Sequence, residues 1–235
     1  MKDFKQGIQD GIPIALGYVS VSFTFGLMAV AAGMSWWQAI LISMTNLTSA
    51  GQFAGLEIMV AGGTFIEMAL TQLVINLRYA LMSLSLSQKV DKTMDTLNRL
   101  ITSFGVTDEI FAVSMSRKKA VSKYYMYGLI AIPYIGWAGG TAMGALLGGV
   151  LPEIVSNAMG IAIYGMFLAI IIPQAKEDIP CLKVILIAVA MSCCFHWIPG
   201  LKQLSSGFVI IICAVTASAI GAWLYPIEEN EIEEV

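Results

Sequence analysis

Apolar stretches of roughly 20 residues recur along the chain, separated by short polar segments. Each stretch is long enough to cross the ~30 Å hydrocarbon core of a bilayer as a helix. The period-two alternation typical of an outer-membrane strand is not seen. The pattern predicts an all-α integral membrane protein with about seven transmembrane helices. The expected spans are 12–33, 36–61, 64–86, 125–150, 152–173, 181–199 and 205–225.

Composition supports the same class of protein. Hydrophobic residues make up 57% of the chain and charged residues 12%, whereas soluble domains carry about 25% charged residues. The segment 100–116 is also apolar enough to lie in the membrane or dip into it. We expect one polytopic membrane transport domain over 1–226, followed by a solvated acidic tail at 227–235.

Basic residues concentrate in the middle of the chain, where the segment 87–124 holds seven of the thirteen lysines and arginines. Such loops stay in the cytoplasm, and an arrangement of seven spans then places the N-terminus outside. The segments 7–86 and 125–199 resemble each other weakly, since each opens with a proline and several glycines. They predict inverted repeats of three helices, a common construction of secondary transporters.

The second predicted span has small and polar residues at its centre, 45–55, where lipid-facing leucines are expected. Glycine weakens a helix interior by ~1 kcal/mol, and serine or threonine can cap a new helix start. A break near 48–51 would direct unpaired N–H groups towards an anion. Close packing of small residues explains the same composition. The candidate substrate-binding residues here are Asn46, Ser49, Gly51, Gln52 and Phe53.

Arg78 lies within the third predicted span. A guanidinium at membrane depth costs at least ~2.5 kcal/mol, so it faces protein or a watery cavity. With Asn76 it is a candidate for binding an anionic group of a substrate. The alternative is a buried arginine satisfied by carbonyl groups and a carboxylate. Glu67 lies on the same helix face but ~16 Å away along the axis, too far to be that carboxylate.

Three carboxylates are candidates for coupling or gating. Glu57 lies near the end of the second span, where desolvation would favour its proton-carrying form; it could equally extend to the membrane interface. Asp108 and Glu109 follow in the amphipathic middle segment. They either form a cytoplasmic gate or face water.

Glycines recur every fourth residue in the fourth predicted span, at Gly136, Gly140, Gly144 and Gly148. This stripe lets another helix approach closely and pack against the backbone. The stripe alone leaves open whether that helix belongs to this chain or to a partner.

Four motifs occur in an order that resembles the AzlC family. They are Gly7-x-x-x-Gly11-x-Pro13 leading to Gly17-Tyr18 and Phe25-Gly26, then Ser49-Ala50-Gly51-Gln52-Phe53-Ala54-Gly55, Asn76-Leu77-Arg78-Tyr79, and Thr107-Asp108-Glu109-x-Phe111-Ala112. The resemblance implies the large subunit of a branched-chain amino acid exporter, acting with a small AzlD-type membrane subunit in the cytoplasmic membrane of a prokaryote. Tyr79 stands where many members of that family have histidine.

Other function classes lack their sequence signatures. The chain has no phosphate-loop motif, no zinc-protease motif and no Gly-x-Ser-x-Gly motif. We therefore expect no enzymatic activity, no cofactor, no metal site and no nucleic-acid partner. The expected function is gradient-driven export of aliphatic amino acids across the lipid bilayer. The alternative is a channel-like or structural membrane subunit whose transport site lies in its partner.

Overall fold

The structure is a computed structural model, described for residues 2–147, 168, 171–173, 175–176, 178–201 and 203–226. In these ranges the chain is helical and forms no strand, as predicted. The helices are α1 (Lys2–Ala31), α2 (Trp36–Thr45), α3 (Ala50–Val60), α4 (Phe65–Ser87), α5 (Thr96–Ser103), α6 (Asp108–Ser116), α7 (Lys123–Leu147), α8 (Ile179–Trp197) and α9 (Ser206–Leu224).

Five of the described helices, α1, α4, α7, α8 and α9, are long and apolar enough to cross a membrane. The predicted count of seven spans is not confirmed. The expected span 36–61 is divided into α2 and α3, of 10 and 11 residues, each too short to cross alone. The expected span 152–173 falls almost entirely outside the described residues, as does the acidic tail at 227–235.

The described residues belong to two compact units. The first comprises those of Met1–Leu56 and Asn76–Tyr164, and the second those of Glu57–Ile75 and Gly165–Val235.

The first unit is built on the packing of α1 against α7. The backbone at Gly7 lies against Tyr125 at the start of this interface, and Gly144 lies against Phe23 near its end. Because the contacts advance in the same direction along both helices, α1 and α7 run parallel. The opposite orientation predicted for the first helices of the two repeats is therefore wrong. Small residues allow two helices to pack closely in either a parallel or an antiparallel orientation, so the composition did not reveal that α1 and α7 are parallel.

A first hairpin consists of α2, the tip at 46–49 and α3. Its two legs are joined near the tip because Gln52 Nε2 donates to Ser43 Oγ at 2.5 Å. Ser43 Oγ lies 2.7 Å from Thr141 Oγ1 in the second half of α7, and Phe53 packs edge-on against Phe25 in the second half of α1. Both legs thus lie beside the C-terminal halves of α1 and α7.

A second hairpin consists of α5, the tip at 104–107 and α6, and it lies beside the opposite halves of the same helices. Tyr127 near the start of α7 donates to Asn98 of α5 at 2.5 Å. Arg117, just after α6, pairs with Asp3 of α1 at 2.9 Å. The two hairpins therefore enter the first unit from opposite faces.

The end of α4 lies at the same face of the first unit as the start of α7. Val121 N–H donates to the Lys89 carbonyl at 2.9 Å, so the segment after α4 lies beside the start of α7. Within the first unit, α4 thus runs antiparallel to α1 and α7. Within this unit the first hairpin enters from one face and turns back towards it at its tip, so residues 36–56 do not cross.

This arrangement corrects the predicted side of the N-terminus. Asp3 contacts both Arg117 and Ser122 of the basic middle segment. The N-terminus and that segment therefore lie at the same face. The prediction that they lie on opposite sides is wrong, because it counted residues 36–61 as a crossing.

The second unit contains the first part of α4 together with α8 and α9. The two last helices pack against each other, and Gly221 of α9 accommodates the side chain of Val184. At the other end of α9, Gly207 N–H donates to Oε1 of Glu67 at 3.1 Å.

Candidate functional site

The tips of the two hairpins lie at the same level, half-way along α1 and α7. Tyr134, near the middle of α7, donates to the Met44 carbonyl at the end of α2 at 2.9 Å. Its ring also meets that of Phe104 at the second tip, with centroids 6.1 Å apart. Because α3 and α6 both begin at the tips, two helix N-termini with their partial positive charges lie in this region.

The first tip is shaped by local polar contacts. Oδ1 of Asn46 accepts hydrogen bonds from the Thr48 N–H at 3.2 Å and the Thr48 hydroxyl at 2.6 Å, which is a typical turn of asparagine. Ser49 has a positive φ of 49°, uncommon for a residue other than glycine. The Ser49 carbonyl then accepts the N–H groups of Gln52 and Phe53, starting α3. The break lies at 46–49, beginning two residues before the predicted position.

The second tip ends at a capped helix start. Thr107 is the N-cap residue of α6, and its side chain accepts a hydrogen bond from the Ile110 N–H. Asp108 and Glu109 occupy the first turn, where the helix dipole favours negative charge.

Arg78 connects the two tips. Its Nη1 lies 2.5 Å from Oδ2 of Asp108, and its Nη2 donates to the Tyr79 hydroxyl at 3.2 Å. The Tyr79 hydroxyl in turn donates to the Thr48 carbonyl at 3.4 Å. The side chains of the ion pair remain 39% and 34% exposed. Arg78 therefore has the carboxylate partner that its position required, and the pair stays accessible.

A second interaction ties α1 to the same helix start. The Tyr18 hydroxyl donates to Oε2 of Glu109 at 2.5 Å and lies 2.6 Å from Oγ1 of Thr107. Tyr18 also packs edge-on against Trp137 of α7. Both acidic residues of α6 thus contact a neighbouring helix rather than facing only water.

The predicted substrate-binding residues separate into two groups. Asn46, Ser49 and Arg78 lie at or beside the tips, and Asn76 is half-buried two residues before Arg78. The other three, Gly51, Gln52 and Phe53 of α3, are buried in the interior of the first unit.

Gln52 belongs to a buried polar network. Its amide donates to Ser43 and accepts from Nε1 of Trp137 at 3.1 Å. The Ser43 hydroxyl also contacts Thr141. This network holds the first hairpin against α7, so it positions the tip.

Glu57 is placed differently from the other predicted coupling residues. Its side chain is exposed and belongs to the second unit. It lines a cavity of about 490 Å³ together with His196 and Ser206. The exposed side chain is compatible with the alternative that Glu57 extends to the membrane interface, and its coupling role stays a prediction.

The glycine stripe packs within this chain. A Cβ added at Gly136 would clash with Ala15 of α1, and one at Gly140 would clash with Val19 and Ser22. Gly144 lies equally close to α1, whereas Gly148 lies outside the described residues.

Several residues of the site were not identified from the sequence. Tyr18 and Trp137 are far from the tips in sequence, and the contact of Tyr18 with Glu109 joins residues 91 positions apart. Their only local signal is a polar or amphipathic group within an apolar helix. Tyr79 was noted only as a departure from the expected motif beside Arg78, and its contact with the first tip was not predicted.

The chain has helices of membrane-spanning length and two helical hairpins whose tips are joined by an arginine–carboxylate pair. This arrangement defines a polytopic membrane protein with a polar interior site. The model of the AzlC protein family matches residues 13–151. The chain belongs to the AzlC family.

Relatives include an uncharacterized membrane protein of Archaeoglobus fulgidus, 33% identical over 74% of this chain and 76% of its own. The inner membrane protein YgaZ of Escherichia coli is 27% identical over 75% of this chain and 76% of its own. A membrane protein of Helicobacter pylori is 27% identical over 63% of this chain and 65% of its own. No solved structure matches the chain significantly.

Proposed function

We propose that this protein is a gradient-driven exporter of branched-chain or similar aliphatic amino acids, acting with a small AzlD-type subunit. Membership of the AzlC family supports transport. The observation that carries the proposal is the accessible ion pair of Arg78 and Asp108 between the two hairpin tips.

The ion pair has the two charges that a zwitterionic amino acid requires. The planar guanidinium of Arg78 can bind a carboxylate through two parallel hydrogen bonds. The carboxylate of Asp108 can accept the ammonium group attached to the same α-carbon. The N-terminus of α3 adds positive potential near Arg78, whereas the N-terminus of α6 stabilises the negative charge of Asp108. In this mechanism the substrate inserts between Arg78 and Asp108 and satisfies both.

Exchange of the ion pair for a substrate costs little. Pairs as exposed as this one contribute only ~0–1 kcal/mol, because water screens the charges. Breaking it also frees the link from Arg78 through Tyr79 to the first tip. Binding thus loosens the connection between the tips, and this provides the conformational step of alternating access.

An apolar cavity further along α4 supports an aliphatic substrate. It has a volume of about 280 Å³. Its apolar lining residues come from α4, the segment between α4 and α5, the second hairpin and α7. They include Leu86, Val90, Met94, Val106 and Met126.

We further propose that the protein is no enzyme and resides in the inner membrane. The name of its Escherichia coli relative, an inner membrane protein, supports this location.

Reconstitution into liposomes tests the proposal. Labelled leucine flux is measured under an imposed pH or Na⁺ gradient, with this chain alone and with its small partner subunit. Saturable, stereoselective accumulation of leucine, unaffected by aspartate, is expected. Non-saturable flux would indicate a channel, and flux from the partner alone would place the transport site there.

A further inference from the structure

The second unit contains a buried carboxylate that the proposed transport site does not use. Glu67, in the first turn of α4, keeps only 3% of its surface exposed. Its Oε1 accepts the Gly207 N–H at 3.1 Å. A Cβ added at Gly63 would lie 2.9 Å from its Oε2. Two glycines therefore make room for the carboxylate on both sides.

A buried hydroxyl faces the same position. Thr71 is fully buried, and its Oγ1 has no hydrogen-bond partner among the described residues. A Cβ built at Gly207 would lie 2.6 Å from Oε1 of Glu67 and 2.8 Å from Oγ1 of Thr71. Both oxygens thus converge on one point at the start of α9. Buried hydroxyls are normally hydrogen-bonded, so an unpartnered one pointing there indicates a missing ligand.

The N-cap residue of α9 adds a third oxygen to this region. Ser205 precedes Gly207 by two residues, and its side chain makes no capping hydrogen bond. Its hydroxyl oxygen is buried and lacks a partner within the part of the chain that the structure describes.

The charge of Glu67 is only partly compensated. Glu67 forms no ion pair with any described residue. The other titratable side chains on the helices of this unit are Glu57 of α3, Cys213 of α9, and Cys181, Lys183, Cys193, Cys194 and His196 of α8. The N-terminus of α9 supplies the equivalent of about half a positive charge. The remaining negative charge favours the binding of one monovalent cation.

A cavity lies beside the same helix start. The cavity of about 490 Å³ that Glu57 and His196 line also includes Ser206, the residue between Ser205 and Gly207. The cavity thus adjoins the residue before Gly207, whose N–H binds Glu67.

We propose that a monovalent cation, a proton or Na⁺, binds between the Glu67 carboxylate and the Thr71 hydroxyl and is the coupling ion of the exporter. The coupling role rests on the proposed function. Oxygen ligands alone suit a hard cation. In the proton form, the proton resides on a Glu67 oxygen and is released to the same cavity. The site also replaces Glu57 as the coupling residue.

Thermal unfolding of the purified full chain tests binding without any substrate. The midpoint is measured in NaCl against choline chloride, and across an acid-to-neutral pH series. We expect the wild type to be stabilised by Na⁺ or by acid, and Glu67→Gln to lose that shift. The glutamine still accepts the Gly207 N–H, so the variant keeps its fold. No shift in the wild type, or an undiminished shift in Glu67→Gln, would overturn the proposal.

Thr71→Val distinguishes the two ions, because it removes the hydroxyl and keeps the side-chain shape. A Na⁺ shift lost in both variants assigns Na⁺, whereas an acid shift lost only in Glu67→Gln assigns the proton. A Na⁺ shift that survives in Thr71→Val excludes this residue as a ligand and refutes the site as drawn. Glu57→Gln serves as the control carboxylate and should retain the wild-type shift.

Flux measurements then separate this proposal from the transport function. Glu67→Gln should exchange leucine across the membrane but fail to accumulate it against a gradient. Cation binding without any leucine flux in the wild type would refute amino acid export and leave the ion site intact. Leucine accumulation by Glu67→Gln equal to the wild type would refute coupling at Glu67 and leave export intact.

Discussion

The ion pair at the hairpin tips and the carboxylate at the start of α9 differ in how their charges are compensated. Arg78 and Asp108 pair at 2.5 Å and each keeps at least a third of its side chain exposed. Glu67 is buried and pairs with no cation among the residues described. The exposed pair is weak enough to exchange its partner for a substrate. The buried carboxylate is the group that we propose binds a cation from outside the chain.

The close packing of α1 against α7 should be more sensitive to substitution than any other feature of the molecule. Gly140→Leu places an isobutyl group against the backbone of Val19, so α1 and α7 cannot approach. We expect a loss of ~3 kcal/mol or more of stability and failure to assemble. Size-exclusion chromatography of the detergent-solubilised variant checks this.

Gly139→Leu provides a matched control. It makes the same change one residue earlier, where no described atom lies within 4 Å of an added Cβ. The control should assemble normally. Equal behaviour of the two variants would show that the glycine stripe is not the determinant of packing.

Replacing Arg78, the cation of the exposed ion pair, should have the next-largest effect. Arg78→Ala and Arg78→Lys should both lower leucine transport by about 10- to 100-fold, because an ammonium lacks the planar pair of donors that binds a carboxylate. Both variants should insert. Transport assays on equal amounts of reconstituted protein measure the effect.

Lys118→Ala removes a charge from an exposed loop position and should transport like the wild type. Full activity in Arg78→Lys would mean that charge alone matters at the tips. Full activity in Arg78→Ala would exclude Arg78 from the substrate site.

The buried carboxylate is probed sterically by Gly207→Ala. The added methyl would overlap Glu67 and Thr71, so we expect the cation-dependent shift of the unfolding midpoint to fall to less than about half. Gly200→Ala, where no described atom lies within 4 Å, should keep the full shift. A full shift in Gly207→Ala would show that the cation binds elsewhere.

The smallest expected effect concerns the link between Arg78 and the first tip. Tyr79→Phe removes the hydroxyl that joins Arg78 to the Thr48 carbonyl. The loss of such hydrogen bonds costs ~0.5–1.5 kcal/mol, so the KM for leucine should change about 2- to 10-fold. The exposed Tyr124→Phe is the control. An unchanged KM in Tyr79→Phe would mean that this link does not contribute to binding.

Local chemistry explains which parts of the site could be predicted. The break in the second apolar stretch was predicted because asparagine, threonine, serine and glycine favour turns and helix caps over a continuous helix. Arg78 was recognised because a lone guanidinium in an apolar stretch is costly. The close approach along the glycine stripe follows from the absence of side chains.

Partners distant in sequence could not be predicted. The contact of Arg78 with Asp108 spans 30 residues, and that of Glu67 with Gly207 spans 140. Glu57 was a coupling candidate because it follows the predicted break in the same span, yet only the fold shows that Glu57 is exposed and Glu67 buried.

By itself, the amino-acid sequence determined the class of membrane protein, the position of the break and the candidate arginine. Each depends on residue type and spacing over about 20 residues, because bilayer thickness and helix capping act over that length. Only the tertiary structure decided that α1 and α7 run parallel and that the first hairpin returns to its own face. The direction of a helix depends on which distant surfaces it packs against, and an apolar segment of either direction has the same composition.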